Sequence, residues 1–64
     1  MTKTERLNYA ADLAGNLATQ LETLVKDVTT GTPIRQEFKS EASLLRLLRQ
    51  RLLNLARLTE VLED

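Results

Sequence analysis

Apolar residues recur at alternating intervals of three and four through two long stretches of this chain, interrupted once at Thr29-Thr30-Gly31-Thr32-Pro33. That interval belongs to an α-helix, whose 3.6-residue turn keeps such positions on one face. In the first stretch Leu7, Ala10, Ala14, Leu17, Leu21, Leu24 and Val28 form the seam, with Ala11, Ala18 and Val25 beside it. In the second, Ile34, Phe38, Ala42, Leu45, Leu48 and Leu52 form a stripe expected to oppose that seam. The residues between are mostly Arg, Gln, Glu and Lys, which suit helices and disfavour strands. The pattern predicts an all-α fold: a coiled-coil-like antiparallel two-helix hairpin, with one helix over about 3–29, a turn over about 30–32 and a second helix over about 33–61.

The ends of these segments carry matching signals. Thr2 and Glu5 have the spacing of a capping box, in which each side chain takes the other residue's free backbone N–H. Gly31 is expected as the left-handed cap of the first helix, and Thr32-Pro33 as the N-cap and first position of the second. Ala10, Ala11, Ala14, Gly15 and Ala18 make half of the first helix unusually small, which suits close approach of the second helix.

The second helix has more apolar surface than one neighbour needs. Leu44, Leu47, Leu55, Leu58, Val61 and Leu62 project over a sector beside the first stripe. A patch of this kind on a soluble chain marks a contact site. Arg51 sits among these leucines, and its planar donor fork and long apolar stem favour it at protein contacts. Leu44, Leu47, Arg51, Leu55, Leu58 and Leu62 are therefore the candidate partner-binding residues.

Composition sharpens that expectation. The chain has 64 residues with neither Cys nor His. It makes one domain, of a size at which a lone core supplies little stability and natural miniproteins add disulfides, a metal or a partner chain. Without Cys or His the first two are lost, so the core is expected to be completed by a partner. The same absence removes thiol and imidazole catalysis. Glu37 and Glu41 share a helix face without the histidine partner of carboxylate metal sites, and the two glycines are too far apart for a phosphate loop. No enzyme activity, cofactor or metal is expected. Residues 1–17 carry Glu5 and Asp12 and no continuous apolar core, so no signal peptide is expected. No stretch approaches a membrane span. The protein is expected to be soluble and cytoplasmic.

Nine basic and nine acidic residues cancel, so any electrostatic partner must be recognised locally. Ala42 to Thr59 contains Arg46, Arg49, Arg51 and Arg57 and no acid, with Arg35 and Lys39 near Arg46 and Arg57 on one face. Such a face suits RNA phosphates, an acidic partner or plain solvent. The only aromatics, Tyr9 and Phe38, are not placed beside these arginines to stack a base, which disfavours nucleic acid.

Several residues give the chain a resemblance to the E-type co-chaperones of type III secretion needle subunits, the family of YscE, PscE and AscE. These are Met1-Thr2 followed by Glu5 and Leu7, Gln20-Leu21-Glu22 before Leu24, the turn glycine, Phe38 early in the second helix, and Ser40-Glu41-Ala42 leading into the leucines. The concentration of Leu and Arg from Leu44 to Leu58 departs from that family. The resemblance implies a cytoplasmic protein that pairs with a larger helical-repeat chaperone, the two together keeping a needle subunit soluble and monomeric. The competing expectation is a homodimeric four-helix bundle resembling the RNA-binding regulator Rop. Against it, Asp12, Asn16, Thr19, Glu22 and Lys26 give the outer side of the first helix no basic stripe.

Overall fold

The computed structural model describes residues 1–63. Among them the chain forms two α-helices, α1 (Lys3–Val25) and α2 (Pro33–Leu62), packed side by side as an antiparallel hairpin with no strand. The Cα trace measures 47 × 16 × 9 Å, a single layer two helices wide. Its radius of gyration, 14.7 Å, exceeds the roughly 10.7 Å of a compact chain of this length. No helix is long and apolar enough to cross a membrane among the described residues.

The capping box forms as its spacing predicts: Thr2 N donates to Glu5 Oε1 and Glu5 N donates to Thr2 Oγ1, both at 3.0 Å. Thr32 caps α2, with Arg35 N donating to Thr32 Oγ1 at 3.4 Å and Pro33 in the first turn. The first helix ends at Val25, however, four residues short of the expected 29. Asp27, Val28, Thr29 and Thr30 are weak helix formers, and the chain tightens there into three-residue steps, with Asp27 N to Leu24 O at 2.9 Å and Val28 N to Val25 O at 3.2 Å. The Arg35 guanidinium then occupies Val28 O at 3.2 Å and Thr30 Oγ1 at 3.0 Å, holding the connection against the start of α2. Gly31 is left-handed at φ 84°, but not as the cap of α1. It takes the third position of a turn from Thr29 to Thr32, closed by Thr32 N to Thr29 O at 3.4 Å.

The seam between the helices differs from the expected one by a single residue of frame. Its buried members are Ala11, Ala14, Ala18 and Val25 on α1 and Ala42 and Ala56 on α2. Leu7, Leu21, Phe38, Leu45 and Leu52 are half-buried along the same lines. Leu17, Leu24, Ile34 and Leu48, expected in that seam, are exposed. The frame Leu7, Ala11, Ala14, Ala18, Leu21, Val25 also alternates four and three, and its three alanines let the backbones approach more closely than a leucine seam allows. Close approach then pushes the larger side chains to the flanks. No large side chain is fully buried among the described residues.

Candidate protein-binding face

The register follows from polar pairs along the hairpin. Lys3 Nζ meets Glu63 Oε1 at 2.9 Å at the open end, and Arg46 grips Glu22 nearer the loop, with Nε donating to Oε2 at 2.8 Å and Nη2 donating to Oε1. Between them Arg49 lies over Gly15. Residues of α1 and α2 at the same height therefore have numbers that converge on the loop from both sides.

In an antiparallel pair, the residues just after seam positions on both helices fall on one broad face, and those just before them on the other, because each residue advances about 100°. Glu22 and Arg46 follow Leu21 and Leu45 in sequence, so they mark the polar face. Their contact holds the Glu22 carboxyl below its ordinary range, chiefly through the hydrogen bond from Arg46, and raises the arginine in return. Thr19 also accepts from Arg46 Nη2, at 3.4 Å. Of the basic residues that could meet RNA phosphates, Arg35 and Arg46 are thus occupied within the chain.

The other broad face is mostly leucine, interrupted by Gln20, Glu37, Glu41 and Arg51, which precede Leu21, Phe38, Ala42 and Leu52. Leu13, Leu17 and Leu24 precede Ala14, Ala18 and Val25; Leu44, Leu48 and Leu55 precede Leu45, Arg49 and Ala56. All six are exposed. The sequence-predicted partner-binding residues lie on this face or continue it around the outside of α2. Leu44, Leu47, Leu55, Leu58 and Leu62 are between 48% and 76% exposed, and Arg51 is exposed among them. They form one continuous band rather than a buried cluster. Sequence reasoning missed Leu13 altogether and placed Leu17, Leu24 and Leu48 inside the hairpin. The signal that finds them is the run of alanines, which fixes the seam one residue later and turns these leucines outward.

Searches of protein-family models, curated proteins and solved structures find no match to this chain. The leucine face is the feature of the geometry on which a function can be argued.

Its extent can be sized. A compact monomer of 7.2 kDa exposes about 4,100 Å², whereas this chain exposes 4911 Å². The excess, on the order of 800 Å², is spread over the whole flat, elongated hairpin, of which this face is one side. This face is mostly leucine. It can withdraw apolar surface from water, at about 25 cal/mol for each Å² covered.

Proposed function

We propose that this chain is a non-enzymatic interaction protein that acts by binding another polypeptide through the apolar face of α2. The observation that carries the reading is the band of leucines, exposed on a helix whose opposite side is already packed on α1. In the specific form its sequence resembles, it is a cytoplasmic co-chaperone. It binds a larger helical-repeat chaperone and, by stabilising that chaperone, helps keep a needle subunit soluble and monomeric. Leu44, Leu47, Arg51, Leu55, Leu58 and Leu62 supply the contact, and the chain need not touch the needle subunit itself.

The experiment is affinity capture of the tagged chain from its native cytoplasm, with the eluate identified by mass spectrometry. A helical-repeat chaperone recovered together with a small needle-type subunit supports the co-chaperone reading. Loss of both on changing Leu47 and Leu58 to Asp, with helicity by circular dichroism unchanged, assigns the contact to this face. Retention by that variant refutes the assignment, and recovery of RNA in place of protein refutes the reading as a whole.

A further inference from the structure

The band on α2 is itself a heptad seam. Its central members each precede a residue packed on α1, and the positions Ile34, Glu37, Glu41, Leu44, Leu48, Arg51, Leu55, Leu58 and Leu62 alternate three and four throughout. Two of the charged ones, Glu41 and Arg51, lie on either side of its middle. Both are exposed, and neither makes an ion pair or hydrogen bond within the chain among the described residues. An unpaired acid and an unpaired base of this kind, set ten residues apart in one apolar seam, are complementary to the same seam running in the opposite direction.

We propose that the free chain pairs with a second copy of itself through α2, antiparallel about a two-fold axis at the level of Arg46, with Glu41 of each copy against Arg51 of the other. This rests on the reading of the α2 face as a protein-contact surface and names the occupant when no other partner is present. Three heptad registers bring the two seams together with substantial overlap. Only the proposed one sets an acid against a base. At its centre Leu44 faces Leu48 of the second copy, with a Glu41–Arg51 pair on each side. Beyond the pairs, Glu37 comes level with Leu55 near the edge of the overlap, where its carboxylate reaches water, and Ile34 meets Leu58. Sliding one helix by a heptad toward its C-terminus stacks Arg51 on Leu48 and brings the two Arg51 side chains within about one turn of each other, with no acid beside them. Sliding it the other way leaves Arg51 against Ile34, sets both glutamates against leucines and shortens the overlap.

The same axis satisfies a second part of the surface that played no role in choosing the register. Through the hairpin alignment set by Lys3–Glu63 and by Arg49 over Gly15, it brings Leu13 of one copy to within about one turn of Leu24 of the other. The two α1 flanks then close the fourth side of a four-helix bundle. Each member of an ordinary stable dimer covers about 800 Å², and the broad face of this hairpin, with a Cα outline 47 Å long and 16 Å wide, is of that order. In this state the leucines are shielded until a partner of higher affinity competes for them.

Charge exchange tests the register. Sedimentation equilibrium over a wide concentration range gives the self-association constant of the full chain, and Glu41→Arg and Arg51→Glu are prepared separately. Both positions are exposed, so circular dichroism of each variant should match the parent. Each variant alone should dimerise at least ~10-fold more weakly, because like charges then face each other. An equimolar mixture should recover affinity within ~3-fold. In the mixed dimer the introduced arginine of one chain meets the introduced glutamate of the other, and the second site keeps the native acid and base. A parent chain that stays monomeric at all concentrations overturns the dimer. Variants that dimerise as tightly as the parent, or a mixture that does not recover, overturn the register. Neither outcome touches the capture experiment with Leu47 and Leu58 changed to Asp, so failure here is separable from failure of the partner-binding reading.

Discussion

Gly15 of α1 lies directly beneath the side chain of Arg49 on α2: a methyl group at Gly15 would stand 3.0 Å from Arg49 Cδ and 3.2 Å from Nε. The arginine occupies a seam position, and with no Cβ at Gly15 its stem crosses α1 without having to shift aside. Gly15→Ala gains up to ~1 kcal/mol of helix propensity and asks only the flexible end of Arg49 to shift. It should raise thermal stability slightly. Gly15→Leu has no such escape and should cost ~1–3 kcal/mol by overpacking. Urea unfolding followed by circular dichroism separates the two, and a large loss from alanine would mean that Arg49 is held rigidly.

The frame of the seam makes a paired prediction. Ala18 has no exposed surface, whereas Leu17 is 55% exposed. In dilute solution, where association is absent, Ala18→Leu should destabilise the hairpin by ~1–3 kcal/mol. Leu17→Ala should cost well under ~1 kcal/mol, since it leaves no cavity. The reverse order in urea midpoints would restore the seam that puts Leu17 inside.

The Glu22–Arg46 pair gives the hairpin a small acid sensitivity. The carboxyl is lowered in the folded chain, chiefly by the hydrogen bond from Arg46. Its contribution is therefore present above the ordinary glutamate value, near ~4.3, and is lost as pH falls below that value through the lowered one. The pair is exposed, so the effect is small and shrinks with added salt. Thermal melts of the parent and Glu22→Gln should separate near neutral pH, with the parent the more stable, and converge in strong acid once the carboxyl is protonated in the folded chain too. Curves that stay parallel across this range would remove the pair from the stability of the fold.

At the open end, the Thr4 hydroxyl is buried without a hydrogen-bond partner among the described residues. Replacing it with an isosteric methyl removes an unsatisfied polar atom, so Thr4→Val should stabilise by about 1 kcal/mol. A lower melting temperature would indicate that the hydroxyl finds a partner in solution.

Much of this architecture is legible in the residues. Thr2 with Glu5, and Thr32 with Pro33, signal the two helix starts because capping is local chemistry between neighbours in sequence. The excess of leucine on the second helix is equally plain, and the structure leaves those leucines exposed. The seam of α1 is less so. Leu17 and Ala18 both fit an alternating three-and-four pattern, and hydrophobicity favours the leucine. Which one turns inward depends on how closely α2 can approach, a property of the pair rather than of either helix. The same applies to Arg49, which reads as a surface arginine until Gly15 is placed beneath it. The end of α1 at Val25 falls before the weak helix formers Asp27 to Thr30, and the connection beyond it is held by Arg35 reaching back to Val28, a contact seven residues away that helix propensity does not register.

The alanine seam has a thermodynamic consequence. Alanine has no rotamers to lose, so the tightest part of the seam forms without a cost in side-chain entropy. The leucines of the outer band keep both their freedom and their water until something covers them. Association should therefore add a separate heat-capacity change of its own, smaller than that of folding, which withdraws far more surface from water. Calorimetry on dilution reads that part directly, where a melting curve mixes it with folding.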